Sequence, residues 1–323
     1  MATHDVDRDP HLIGGRVVRH WARVAPPPMN GLGALTAWCG ETATTHLVLR
    51  LGRATCHTSP MTKPTVASVT ADLTAEQASL DTVVADLDSA QWELPTPSPG
   101  WAVRDQIGHL AYFDHTAALA ITDPEAFAAE RHALLRAADG DAVTLGAARS
   151  MTPDELLNHW RTNRAALAAA AATCAEDARV EWYGPSMGAK SFLTARLMEA
   201  WAHGQDLCDA VGTTREPTDR LRHIAQLGYI TRGWTYINRR LDVPEGEVRV
   251  ELTAPSGDTW TWGPDHGADA TVTGTALDFC LVTAQRRNVA DTDLVVHGEI
   301  ASDWLEKAQL FAGPPSDPPA ATG

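Results

Sequence analysis

An acid four residues ahead of a histidine recurs six times in this chain of 323 residues: Asp7/His11, Asp105/His109, Glu155/His159, Glu199/His203, Asp219/His223 and Asp293/His297. On a helix the two side chains of such a pair share one face, roughly 6 Å apart along the axis. A carboxylate and an imidazole so placed can grip one divalent cation, although most such pairs are surface ion pairs. Context separates the six. Glu155 occupies the N3 position of a capping box that begins at Thr152-Pro153, so Glu155/His159 reads as helix stability. Glu199 and His203 stand in mid-helix among Leu197, Met198, Trp201 and Leu207, where their shared face is expected to be partly buried. A buried carboxylate demands a partner or a metal. A third ligand from a neighbouring helix would leave coordination positions open to water or substrate, and His109, flanked by Ile107, Leu110 and Phe113, is the candidate.

Helices must carry these residues, and the hydrophobic pattern supplies them. Val66, Val69, Leu73, Leu80, Val83, Val84 and Leu87 form a stripe at three- and four-residue spacing, predicting a helix from Thr65 onward with its acids on the opposite side. A proline-rich loop at 95–101 leads into a second helix near 103–121, and a shorter one follows Asp123-Pro124. A third long helix starts at Thr152 and is expected to reach Cys174; a fourth spans about 191–211 and stops at Gly212; a further one covers 218–240. After Pro244 the period drops from 3.6 to 2. Val248, Val250 and Leu252 alternate with polar partners, and Ser256-Gly257-Asp258 reads as a hairpin turn. Further strands are expected at 259–262, 270–273 and 294–297, with helices at 277–286 and 301–311. The fold class is therefore α+β: a helical unit at 61–243, a small α+β unit at 244–313, and a proline-rich tail at 314–323 expected to fray.

Composition narrows the function classes. With 44% hydrophobic and 21% charged residues the chain reads as globular, which excludes collagen-like, disordered and disulfide-scaffold classes. No run approaches the roughly 18 apolar residues of a membrane span, so no membrane partner is expected. Acids outnumber bases 41 to 26, for a net charge of −15, which disfavours nucleic-acid phosphates. Residues 1–60 depart from the rest: six arginines against four acids give net +2, leaving −17 for the remainder. They hold two of the five cysteines, five of the thirteen histidines and the Pro26-Pro27-Pro28 break, with no persistent period. Acids at their start and no apolar core argue against a signal peptide. They read as a disordered extension, with Met61 the expected natural start. An odd number of cysteines without short paired spacing implies a reducing cytoplasm.

Two segments together carry a family resemblance. Trp101-Ala-Val-Arg-Asp-Gln-Ile-Gly-His109-Leu110, followed some ninety residues later by Glu199-Ala-Trp-Ala-His203-Gly-Gln-Asp-Leu207, resembles the DinB-like superfamily, specifically the mycothiol-dependent maleylpyruvate isomerase type. The resemblance spans about residues 65–313 and implies an N-terminal four-helix bundle followed by a small sterol-carrier-protein-like α+β domain. It implies a divalent metal, zinc, held by His109, Glu199 and His203, with mycothiol as co-substrate. It also implies an arginine of the C-terminal domain acting on substrate, for which Arg286 and Arg287 are the candidates. The chemistry agrees, because a metal-coordinated thiol is deprotonated and the thiolate is the nucleophile. The expected function is a metal- and mycothiol-dependent transferase or isomerase acting on a small electrophile; the alternatives are a metal-dependent hydrolase and a non-catalytic metal-binding or ligand-sensing protein. The alanine-, arginine- and aspartate-rich, lysine-poor composition fits an actinobacterial source. Secondary candidates remain open: Asp105 as an acceptor orienting His109 or as a first-turn acid, Arg104 as a carboxylate binder or a surface residue, and Asp206 beside the ligand face. Cys208 and Cys280 read as core residues.

Overall fold

Thr65 closes a capping box with Ser68 and opens α1 (Val66–Ala85). The computed structural model describes residues 63–323 as eleven α-helices and two small sheets, and the extension read at 1–60 lies outside the described residues. The apolar stripe of α1 is buried at Val66, Val69, Leu73, Leu80 and Val84, with Val83 and Leu87 half-buried at its margin. Two polar residues, Glu76 and Gln77, are buried with it, against the expectation that the acids face away. Arg215 and Arg220 donate to the two Glu76 oxygens at 2.7 and 2.8 Å, and Gln77 Nε2 donates to Asp114 at 2.8 Å. Those partners neutralise what burial would otherwise penalise, and they come from far along the chain.

The helix α2 (Val103–Thr122) leads into α3 (Pro124–Arg136), whose Asp123 cap accepts from Ala126 N ahead of a proline in the first turn. Two short helices follow, α4 (Gly140–Thr144) and α5 (Gly146–Ser150), each too short for a hydrophobic period to reveal. The Thr152/Glu155 capping box opens α6 (Pro153–Ala171) as the sequence predicts. A hairpin of β1 (Arg179–Val180) and β2 (Met187–Gly188) then feeds α7 (Ala189–Val211). That helix ends at Gly212 with φ 69°, the left-handed cap that glycine adopts without strain. The four long helices α1, α2, α6 and α7 pack together, α2 and α1 each against both α6 and α7.

The single helix expected at 218–240 is two: α8 (Leu221–Ile230) and α9 (Arg232–Arg239). Thr231 breaks it, its hydroxyl donating to the carbonyls of Leu227 and Gly228 while its own backbone leaves the helical region. The sheet unit is β3 (Val248–Thr253), β4 (Thr259–Trp262), β5 (Ala270–Thr275), α10 (Ala276–Thr283), β6 (Val295–His297) and α11 (Glu299–Leu305). Its order is β4-β3-β5-β6, with β3 parallel to β5 and antiparallel to β4, and β6 antiparallel to β5. Gly257 turns the β3–β4 hairpin at φ 89°. Although it precedes residue 244, α8 packs on α10 as well as α7, tying the sheet unit to the helices. The helix read at 301–311 stops at Leu305; Gln309 and Leu310 are buried beyond it, outside any helix or strand. The tail read as frayed is held by side chains: Ser316 Oγ donates to Gln285, Asn288 Nδ2 donates to Pro319 O, and Thr322 N donates to Asp291. Among the described residues no helix is long and apolar enough to cross a membrane.

Candidate metal centre

Arg196, Glu199, His203 and Asp206 follow one another on α7 at spacings of three, four and three, so they line a single face. That face is turned inward: Arg196 and Asp206 are each 3% exposed, and Glu199 and His203 are half-buried. From α2, His109 reaches the same point. Its Nε2 lies 3.3 Å from Glu199 Oε2, and His203 Nε2 lies 3.1 Å from the same oxygen. One donor atom from each of the three residues falls within 4.8 Å of the others. The two imidazole centroids are 4.3 Å apart.

A residue the sequence reading passed over sets the orientation. Gln106 is fully buried, and its Nε2 donates to Thr96 Oγ1 at 2.8 Å, leaving Oε1 to face His203 Nδ1 at 2.6 Å. An amide oxygen only accepts, so His203 Nδ1 carries the proton. In the neutral imidazole Nε2 then presents a lone pair to the Glu199 carboxylate, a repulsive contact unless a cation or a second proton lies between. The His203 lone pair, the His109 Nε2 atom and one carboxylate converging in this way fit a divalent metal that takes nitrogen and oxygen ligands. Thr96 is held by the loop that opens α2: Pro95 and Ala102 form a β-bridge, and Thr96 N and Oγ1 both donate to Trp101 O. The same loop lays the buried Trp101 ring over His109 and His203, with centroids 5.2 and 5.9 Å away.

Electrostatics reinforce the donor set. Burial, with the neighbouring His203 as the next cause, pulls the His109 pKa down to about 3, so this imidazole is neutral at physiological pH. Burial is the largest influence on Glu199 and opposes its charge, yet the adjoining His109 and His203 imidazoles together hold its carboxyl well below the usual carboxylate range.

The other candidates separate cleanly. Asp105 accepts from Ala102 N and from Arg149 Nε, so it serves as the first-turn acid of α2. Arg104 bridges Glu93 and the carbonyls of Arg149 and Met151. His159 is exposed on α6, and His223 pairs with Asp72 in place of Asp219. Cys208 and Cys280 are buried, and burial raises both thiols, which keeps them protonated. Gln285, at φ 57°, turns the chain after α10 and sends two arginines toward α7. Arg286 binds both oxygens of Asp206 at 3.1 and 2.8 Å, while Arg287 binds both oxygens of Asp209 at 2.8 and 2.7 Å. Asp206 also accepts from Ser98 of the α2 loop.

Two cavities reach the cluster. One of ≈ 470 Å³ is bounded by Trp101, His203, Asp206, Arg286 and Phe311. The other, of ≈ 330 Å³, is bounded by His109, Glu199, Arg196, Phe113, Trp234 and the same Phe311. The sequence held a signal for the missed residues. Gln106 stands three before His109, and Arg196 three before Glu199, each one turn along the ligand face.

Comparison with known proteins places this arrangement. Residues 73–208 match the mycothiol maleylpyruvate isomerase N-terminal domain. Two proteins of Mycobacterium tuberculosis, the uncharacterized protein Rv0036c and the uncharacterized protein MT0041, are each 46% identical over 248 residues, 76% of this chain and 95% of theirs. The crystal structure of the mycothiol-dependent maleylpyruvate isomerase is similar at 19% identity with a TM-score of 0.46, over 72% of this chain and 92% of that one. A mutant form of the same isomerase is similar at 20% identity and the same TM-score of 0.46, over 68% of this chain and 89% of that one. The chain belongs to the family of these mycobacterial proteins, with the mycothiol maleylpyruvate isomerase N-terminal domain carrying all three residues of the His109–Glu199–His203 cluster.

Proposed function

We propose that His109, Glu199 and His203 hold one divalent metal, zinc, and that the protein is a mycothiol-dependent transferase or isomerase acting on a small electrophile. The observation that carries this reading is the approach of two imidazole Nε2 atoms to one carboxylate oxygen, at 3.3 and 3.1 Å, with Gln106 directing the His203 lone pair inward. A bound zinc supplies deprotonation of a coordinated thiol at neutral pH. The chain's own residues do the rest. His109 stays neutral and so has a ring nitrogen free to serve as a ligand. Gln106 and Thr96 hold His203 in one tautomer, and Trp101 shields both rings from water. Arg286, held by Asp206 at the wall of the ≈ 470 Å³ cavity, offers its guanidinium to the anionic part of a bound reactant. Arg287 is paired with Asp209 farther out and plays the smaller part.

The reading extends to organisation. The four long helices are a DinB-like bundle within 61–243, and 244–313 is a sterol-carrier-like domain walling the cavity, with 314–323 as its tail. A cytoplasmic setting with free thiols belongs to the same proposal; Cys174, Cys208 and Cys280 are all free. The test is titration of the zinc-loaded protein with mycothiol, followed by an electrophile. Binding of one thiol per metal and thiol-dependent consumption of electrophile are expected, with Arg286→Met slowing turnover more than Arg287→Met. Turnover without thiol would make it a hydrolase, and thiol binding without turnover would make it a sensor; either result overturns the proposal.

A further inference from the structure

The indole of Trp101 covers both cluster imidazoles, tilted 50° to the His109 ring and stacked at 21° on the His203 ring, and it also bounds the ≈ 470 Å³ cavity. The loop fixes the Trp101 backbone, since Thr96 donates to its carbonyl and its own N–H donates to Ser98 O. That leaves the ring free to turn about its Cβ–Cγ bond, a torsion that is broad and roughly two-fold. An indole carries one polar atom, a donor, and when buried that atom needs a partner. Trp101 is 5% exposed, and its Nε1 donates to Asp141 Oδ2 at 3.2 Å. This one bond selects the ring orientation seen over the cluster.

Asp141 stands on α4, which packs on α2 together with α5. Its plainest role would be that of a first-turn acid serving its own helix. Two observations count against that. The cap of α4 is already filled by Asp139, whose Oδ1 accepts from Asp141 N and Ala142 N. The Asp141 carboxylate, for its part, takes no N–H of α4: among the described residues its Oδ1 is buried without a hydrogen-bond partner, and its Oδ2 accepts from Trp101 alone. A half-buried carboxylate with one oxygen unpaired is costly, so the bond it does make is the one its position serves. We propose that Asp141 is a positioning residue for the cluster: it sets the indole plane of Trp101 over His109 and His203, and through that ring it holds the two imidazoles as ligands. This rests on the reading of the cluster as a metal site.

The test uses the full chain labelled with fluorotryptophan, in which the Trp101 fluorine line is assigned by its loss in Trp101→Phe. Asp141→Leu keeps the bulk and removes the acceptor. It should move the Trp101 line and give it a solvent isotope shift, the sign of a ring that has reached water. Zinc affinity, from competition with a chromophoric chelator, should fall about tenfold, the scale of one hydrogen bond to a charged group. Asp141→Asn retains an amide oxygen as acceptor, so it should keep the wild-type line and an affinity within about threefold of wild type. Trp101→Phe breaks the same bond from the donor side and should lose zinc affinity too; adding Asp141→Leu to it should cost nothing further. An unmoved Trp101 line in Asp141→Leu, equal losses in Asp141→Leu and Asp141→Asn, or additive losses in the double variant overturns the proposal. If Asp141→Leu does not fold, Trp101→Phe decides, and wild-type zinc affinity there overturns the proposal. The fluorine spectra are taken on metal-free protein, which separates the two readings. A Trp101 line that responds as stated in a chain taking up no zinc sinks the metal site and keeps the ring placement; a full equivalent of zinc with an unmoved line does the reverse.

Discussion

Gln106→Leu removes the acceptor 2.6 Å from His203 Nδ1 while keeping the volume of a fully buried side chain, and Asp206 Oδ2, 4.0 Å from the same nitrogen, is beyond hydrogen-bond distance. Two effects follow. The 2.6 Å bond that fixes the His203 tautomer disappears, and loss of such an outer partner typically lowers metal affinity 10- to 100-fold, about 1.4–2.8 kcal/mol. Separately, the Nδ1–H is left buried without an acceptor, which costs roughly 1–3 kcal/mol of folding stability. Gln106→Glu keeps an oxygen in place and should retain most of the affinity, isolating the hydrogen bond from packing. Zinc affinity is measured by competition with a chromophoric chelator, and stability by thermal unfolding of the metal-free protein. A Gln106→Leu variant that folds and binds zinc within threefold of wild type would falsify the claim that Gln106 orients a ligand.

The remaining expectations concern the cluster and its support. His109→Ala and His203→Ala should each lose tightly bound metal, Glu199→Gln should weaken binding less than Glu199→Ala, and His159→Ala, exposed on α6, should keep a full equivalent; metal per chain with circular dichroism as folding control decides. In metal-free protein the depressed His109 pKa makes acidification destabilising: between its ordinary 6.5 and about 3 the unfolded chain takes up a proton that the folded chain refuses. Stability should therefore be complete above pH 6.5 and fall by up to about 1.4 kcal/mol per pH unit below it, with a shallower slope in His109→Ala. An identical slope in that variant would remove His109 as the cause. Gly108→Ala should destabilise by about 1–3 kcal/mol, because its new Cβ would lie 2.6 Å from Ala148 Cβ and force α2 away from α5; an unchanged unfolding midpoint would contradict that contact.

The long helices and the strands after 244 were legible because their hydrophobic residues repeat at 3.6 or 2 over many positions. The five-residue helices α4 and α5 and the two-residue strands β1 and β2 offer no such repeat. The break at Thr231 comes from a side-chain hydroxyl competing for backbone carbonyls, which a period count does not register. In the site, the pairing of Glu199 with His203 was visible at a spacing of four, and His109 stood out by its apolar neighbours Ile107, Leu110 and Phe113. That the three meet at one point depends on the packing of α2 against α7, which spacing does not register. The Glu76–Arg215–Arg220 cluster was invisible, since its charges lie 139 and 144 residues apart and meet only through the packing of α1 beside the segment after α7.

One property of α7 joins these parts. Arg196, Glu199, His203 and Asp206 occupy a single stripe, so one helix register sets the Asp114 ion pair, two of the three cluster residues and the seat of Arg286. A rotation of one residue, about 100°, would withdraw all four from the interior at once. The register is held from both sides. Asp114 on α2 takes Arg196 at one end, and Arg286 after α10 takes Asp206 at the other. Near the middle, Arg215 donates to the Trp201 carbonyl while bound to Glu76, and it lies so close to Gly204 that a Cβ there would come within 2.7 Å of Nη2. The buried charges around α7 are thus paired across three neighbouring segments, and each pair is satisfied only when the cluster face points at His109.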